Sequence, residues 1–553
     1  MLNLDKMRGF MANFFKFVVA ATFAVIGLTA HAAKAPVEYE EDKMSAPPPF
    51  TSNYSTEVFK KLVKKMQAKG DRAVAEENQG GAQVDDIDEK TAVSQQFRDI
   101  RDAFIGNEER SKTDKKYKGA SKSEEINALL EELDKNFKAN KYTEPDAQLL
   151  AAQLLILKPM RGIIYRGRHI FDTSEGQAKL SRMGAIIALR TTASGLDVYL
   201  PTEQWKAGFD YAIAPFYAPK AARVDCTMDS SWNDHCEMDS GSKFERWLRV
   251  EVLPRVLALN AVLVGLEGKT VYADNQIYYG KANFVSSKDR LVKLGEAERL
   301  AMLAGTQATL SALYGVSAFS LDGLFKAIDD VGELYGFAAF FNADQATAKK
   351  RFEKIAAHRN LFRFKRAESS VAKAYLNYSY ESLKAAMKNA YLSWQFLENH
   401  QNEKEYYNNL LDPRIVAPFN RVLTTGFNNG LASVGIDKNF NEVSTGEVVS
   451  AVVQGEKVTV KLKEFFTNPP ESLQNFRPVA FDEDSTPKSK TIGGETVNYR
   501  NYYYGRPTGW DYSIYNKYFP GVKSADDVKR TARVLSQSWG GFLLGLPLSM
   551  VMM

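Results

Sequence analysis

A mainly α fold is what this sequence predicts: a multi-helix body with small β-hairpins, followed by a mixed α/β C-terminal part. Three observations carry that expectation. Apolar residues recur at three- and four-residue spacing over much of the stretch from Ser123 to His400. Short alternating runs punctuated by glycine interrupt the pattern at a few places only. After Leu411-Asp-Pro-Arg the composition shifts, and a hairpin pattern and a tyrosine-rich run appear. With 553 residues, 44% of them hydrophobic and 25% charged, the chain is long enough for about two or three domains with well-buried cores.

The first segment is read as a leader. Lys6, Arg8 and Lys16 precede the apolar run Phe17–Ala32, which closes on Ala30-His31-Ala32. A charged start, a short apolar centre and a small-x-small end make up a secretory signal peptide, here residues 1–32. An uncleaved anchor is the alternative, but the run is shorter than the roughly 20 apolar residues that span a bilayer. No cysteine follows it to take a lipid. The expectation is an exported protein, periplasmic or extracellular, soluble after cleavage.

Residues 33–90 read as an extended, flexible N-terminal segment with one short helix. VEYEED and APPPF are polar and proline-rich, whereas Ser55–Gln67 sets Val58, Phe59, Leu62, Val63 and Met66 at helical spacing behind a Ser/Thr cap. The glycine-containing acidic stretch before Lys90 is linker-like. Residues 91–410 form the helical body. A helix is expected over Thr91–Ile105, then a helical pair, Ser123–Lys138 and Asp146–Leu157, the second stopped by Pro159. Beyond it GIIYRGRHIF and AIIALRTT-ASG-LDVYLP suggest β structure with a turn at Gly195, and Thr270–Gly280 suggests another hairpin. Lys243–Gly265 is helical by periodicity, with a kink expected at Pro254.

From Lys288 to His400 the helical pattern is nearly continuous. Ala304, Ala308 and Ala312 stand four apart, so a second helix can approach closely. Thr306, Gln307, Thr309, Ser311 and Ser317 argue for a core helix and against a membrane span there. The mixed region 411–553 offers a hairpin over Glu447–Phe466 turning at Gln454-Gly455, with helix–strand as the alternative. It continues with a surface loop at DEDSTPKSKTIGGETVN and a helix over Asp526–Gln537. The last stretch, Trp539–Met553, is uncharged, rich in Leu and Met and too short to span a membrane. Burying one such side chain is worth roughly 1.5–3 kcal/mol, so the tail is expected to dock on the protein's own body.

The two cysteines, Cys226 and Cys236, lie close together, and in an oxidising compartment they are expected to form a disulfide. His235 and the neighbouring carboxylates raise a metal reading, but zinc would need reduced thiolates at a finger-like spacing, and calcium would need the D-x-D-x-D-G order. No metal and no cofactor are expected. Gly265-Leu-Glu-Gly-Lys269-Thr270 imitates a phosphate loop, yet Leu263 stands where its first glycine belongs. No G-x-S-x-G, H-E-x-x-H or G-x-G-x-x-G motif occurs. The catalytic residues of any enzyme reading therefore stay unassigned.

Two surfaces remain as candidates. Lys350, Arg351, Lys354, Arg359 and Arg363 gather around Phe352, Phe362 and Phe364 as a patch for an anionic ligand, either a lipid surface or an acidic glycan. The bland alternative buries the phenylalanines beneath a solvated basic face. Tyr502, Tyr503, Tyr504, Trp510, Tyr512 and Tyr515 could form an aromatic binding surface for protein or glycan, or tuck their rings into the body. A formal charge of +5 on the whole chain gives no general drive toward nucleic acid. The functional expectation is an exported cell-envelope protein, a non-enzymatic binding or scaffold component with protein or glycan partners. The alternatives are an envelope-polymer hydrolase using an unlocated carboxylate pair and a lipid-facing accessory protein in peripheral contact with the membrane.

Overall fold

The computed structural model describes residues 44–73, 89–105, 122–161, 240–274, 291–324, 358–365, 369–401, 417–450, 455–478, 480–482, 488–492, 495–499 and 506–538, together with 403, 409, 411, 413, 452 and 453. The fold is mainly α, as the periodicity predicts. Its centre is a pair of long helices, α7 (Glu296–Ser317) and α8 (Ser369–Asn399). α7 starts where Glu298 reaches back to accept a hydrogen bond from Gly295 N at 2.8 Å. Glu296 and Glu298 in its first turn also suit the positive end of the helix dipole. The small-residue stripe does what its spacing implies. Ala304 and Ala308 are buried, and Ser311 and Ser379 exchange hydroxyl-to-carbonyl bonds of 2.8 and 2.7 Å between the two helices. Among the described residues no helix is long and apolar enough to cross a membrane.

Around that pair sit α1 (Thr56–Ala73), α2 (Gln95–Ile105), α3 (Lys122–Lys138), α4 (Pro145–Leu155), α5 (Gly241–Trp247), α6 (Leu253–Gly265) and α9 (Asn420–Ser433). The expected helix over Thr91–Ile105 is broken after a single turn at Glu89–Ala92. Ser94 then caps α2, accepting from Phe97 N, while its own N–H and hydroxyl donate to Asp146 at 2.7 Å each. α3 and α4 form the expected leucine-rich pair, closed by a 3-10 turn at Lys158–Met160. The kink expected at Pro254 takes another form. A π-helical turn, Leu248–Val252, joins α5 to α6, with Leu253 N–H reaching back to Leu248 O. Pro254 then lies in the first turn of α6, where its missing N–H is no loss.

Three further departures have local causes. Within the stretch read as helical from Lys288, residues Leu291–Leu294 form a strand: β2 pairs antiparallel with β1 (Val271–Asp274), and Gly295 separates it from α7. The proposed hairpin at Thr270–Gly280 thus finds its partner strand beyond Gly280. The described part of the N-terminal segment is extended but docked. Met44, Phe50 and Tyr54 are buried, and the Tyr314 hydroxyl donates to Pro48 O at 2.8 Å. Pro47–Pro49 pre-set the backbone there, so docking costs little conformational entropy. Last, the loop read at DEDSTPKSKTIGGETVN contains a hairpin, β6 (Lys488–Ile492) with β7 (Glu495–Tyr499), around a Gly-Gly pair of the kind that favours tight turns.

The Glu447–Phe466 stretch holds the expected hairpin, not the helix–strand alternative, and a short helix follows it. β3 (Gly446–Val449) and β4 (Lys457–Val460) form the hairpin, with Gly455 at φ +85°, and α10 (Leu462–Thr467) follows. β5 (Ala480–Asp482) pairs with β8 (Arg506–Thr508). The described chain ends with α11 (Tyr512–Tyr518) and α12 (Ala525–Gln537), the latter opened by a Ser524/Asp527 capping box. One large apolar core joins residues of α1, α5, α7, α8, the β3–β4 hairpin, α10, α11 and α12. A second lies among α2, α3 and α4, and a third among α4, α6 and β1–β2.

Candidate functional site

The aromatic run supplies core. Phe476, fully buried at the end of a 3-10 turn capped by Ser472, is met edge-on by Tyr515 at 5.2 Å between ring centroids and by Phe519 at 6.1 Å, with Tyr518 at 5.8 Å. The Tyr515 hydroxyl donates to Phe476 O, and burial pushes its pKa well up; the Tyr518 hydroxyl donates to Asn468 O at 2.7 Å. Trp510 is buried as well. Of the six residues proposed as a binding surface, then, Trp510 and Tyr515 are withdrawn from solvent and Tyr512 is half-buried. The physical reason is amphipathic spacing on α11, which turns Tyr515, Tyr518 and the following Phe519 to one side. Tyr502, Tyr503 and Tyr504 lie outside the described residues.

The basic stretch is partly a clasp. Leu361–Lys365 threads between the end of α7 and the 471–473 segment. Phe362 N donates to Ser320 O at 2.7 Å, Phe364 N to Glu471 O at 2.8 Å, and Leu473 N to Phe362 O at 3.0 Å. Arg359 and Arg363 are exposed, Phe364 is buried and Phe362 half-buried. Lys350, Arg351 and Lys354 lie outside the described residues, as do Cys226, Cys236, the leader and the apolar tail. Among the described residues no group of three or more His, Cys, Asp and Glu side chains is placed to hold a metal ion.

What the sequence reading missed is the polar content of the interior. Asn53, Asn260, Gln307 and Asn389 form a cluster of side-chain amides between α6, α7, α8 and the N-terminal segment. Asn389 donates to Gln307 Oε1 at 2.6 Å and pairs with Asn53 at 3.1 Å, while Gln307 donates to Asn260 Oδ1 at 3.2 Å. Glu245 of α5 is buried against Lys365, whose ammonium donates to it, and against Arg249 at 3.7 Å. Burial pushes the Glu245 carboxyl up against the pull of these cations. Glu298 is equally buried, its pKa raised by burial although Leu411 N, Gly295 N and the Asn409 amide all donate to it. Lys384 and Lys388, one turn apart on α8, both face Glu442, and burial lowers the Lys388 pKa.

Asp134 on α3 is engaged by three cations, Lys138, Lys158 and Arg255. Although burial works against its ionised form, hydrogen bonds from Arg255, Lys158 and Lys138 hold it far below the usual carboxylate range. It ties α3 to the 3-10 turn and to α6. Because the folded value is depressed, this contribution is present above the ordinary carboxylate pKa of about 4 and is lost as pH falls below it. Asp134→Asn is expected to cost about 2 kcal/mol at pH 7 and to flatten the acid limb of the stability profile below about pH 4. Denaturant midpoints measured across that range decide it, and an unchanged acid limb would count against the assignment. The polar positions on α7 were visible in the sequence, but their partners come from distant segments. The chain matches no protein-family model, no curated protein and no solved structure.

Proposed function

We propose that this chain is an exported cell-envelope protein that works by binding, as a scaffold component for a protein or glycan partner, and carries out no chemistry of its own. The observation that carries this reading is the commitment of the buried acids Asp134, Glu245 and Glu298 among the described residues. Asp134, Glu245 and Glu298 are each taken up by cations or by backbone and amide donors that hold elements together. General acid–base work needs a carboxyl group open to a substrate on one side. The leader-like start, Lys6 to Ala32, supports the compartment.

Cell fractionation with intact-mass measurement tests export: the mature chain is expected to begin at Ala33, and exported protein retaining residues 1–32 would refute the cleavage. Incubating the mature protein with purified envelope polymers and following both co-sedimentation and release of soluble fragments tests the rest. Retention without fragment release is expected for a glycan-binding scaffold. Release of soluble fragments would establish the hydrolase alternative.

A further inference from the structure

α12 ends against the β3–β4 hairpin, and the way it ends gives the apolar tail a direction. Ser538 forms an isolated antiparallel bridge with Ser450, directly after β3, and the Ser450 hydroxyl donates to Gln537 Oε1 at 3.0 Å. On its other edge Ser450 N donates to Glu456 O at 2.9 Å, so Ser450 and its alternate neighbours Val448 and Gly446 turn their backbone groups toward β4. The N–H and C=O groups of Val449 and Glu447 consequently point away from β4, along the edge where Ser538 sits. Among the described residues no strand pairs with that edge of β3. An unpaired edge of this kind is a template for one more strand.

We infer that the tail adds itself to that edge, Trp539 lying opposite Val449, Gly540 opposite Val448 and Gly541 opposite Glu447. The occupant is residues 539–541 of this chain because Ser538, immediately before them, is already bridged to Ser450. An antiparallel bridge at Ser538 sends the next residue past Val449 with no intervening linker. The composition fits each position. Val449 and Glu447 lie on the outer face, where Glu447 pairs with Lys457 at 2.8 Å, and a large Trp539 ring has room there. Val448 lies on the inner face, almost fully buried, against which α9 and α12 pack. A residue opposite it must point the same way, and Gly540 brings no side chain to place. The added strand stops short of Gly446, whose side-chain direction is already filled by Ser433 O, 2.5 Å from where a Cβ would stand. This seating does not depend on where the protein works.

Two measurements test it on the full chain. In the variant carrying Glu447→Cys and Gly541→Cys, the two thiols face each other across a hydrogen-bonded pair, about 5.5 Å between Cα atoms, within disulfide reach. Mild oxidation followed by peptide mapping should yield the 447–541 link within one chain. The Glu447→Cys and Gly540→Cys pair, shifted by one residue onto the opposite face, should fail to link. Residue-resolved hydrogen exchange supplies the second readout and needs no substitution. Removing residues after Ser538 should speed exchange at Glu447 and Val449 by about tenfold or more, while Val448 and Ser450, bonded to β4, stay protected. A 447–541 link between chains would mean the strand is exchanged with a second copy and would overturn the assignment. So would equal linking of both cysteine pairs, or failure of both, as expected if the tail turned back onto Val452 and Val453 at the hairpin tip. Unprotected Glu447 and Val449 amides in the full chain would overturn it equally.

Discussion

Glu245→Gln is expected to lower the unfolding free energy by about 3–5 kcal/mol, the range found when one partner of a buried ion pair is removed. Glu245 is 2% exposed, and the two cations it faces, Lys365 and Arg249, are 7% and 8% exposed. The Arg249 Nε and Nη1 atoms are buried with no hydrogen-bond acceptor, so the Glu245 charge is what balances this guanidinium. An amide of the same shape keeps the packing and removes the charge. The pair also joins distant parts of the chain: Glu245 sits on α5, and Lys365 ends the clasp threaded between α7 and the 471–473 segment. Adding Lys365→Met to Glu245→Gln should recover part of the loss, because it removes one of the two cations that faced the lost charge. Denaturant unfolding of the two single variants and the double variant measures the coupling. A cost below about 1 kcal/mol for Glu245→Gln, or strict additivity in the cycle, would show that the carboxylate is not what holds these elements.

Much of the architecture was readable because the helices that dominate it carry strong periodicity. α3, α4 and α12 begin and end within about two residues of the expected bounds, and α7 and α8 lie within the stretch expected to be helical. The misreadings share a cause. β2 is four residues long, and its buried Leu291, Val292 and Leu294 are as compatible with a helix as with a strand until Val271–Asp274 is found opposite. The hairpin at Lys488–Tyr499 is polar enough to read as loop, with only the Gly-Gly pair in its sequence as a signal. Local pattern also cannot say whether a tyrosine-rich run faces water. Tyr515 went inward because Phe476, well before it in sequence, offers the ring that completes its packing, and Trp510 is buried with it. The same limit applies to the candidate site. Gln307 looked like a polar interruption, and nothing in α7 or α8 announces that Asn53, Asn260 and Asn389 are its partners.

Phe476→Ala is the second substitution expected to be severe, at about 3–5 kcal/mol, the cost of deleting a fully buried aromatic side chain. Its ring lies at the junction of the 3-10 turn Leu473–Phe476 with α11, and three aromatic side chains close on it. Truncation removes those ring contacts, each worth about 0.5–1.5 kcal/mol beyond area burial. It also opens a cavity that α11 cannot fill, because α11 is held at both ends. Asp511 caps its start by accepting from Ser513 N at 3.0 Å, and the Tyr518 hydroxyl is fixed to Asn468 O. Phe476→Leu fills most of the volume and forfeits only the ring contacts, so roughly half the loss is expected. Equilibrium unfolding of both variants provides the comparison, with tyrosine accessibility near 515 and 518 followed by chemical modification. Greater modification of Tyr515 and Tyr518 in Phe476→Ala than in Phe476→Leu would place their rings in this core. A cost for Phe476→Ala within about 0.5 kcal/mol, the range of surface substitutions, would return the aromatic run to the surface and reopen it as a binding face.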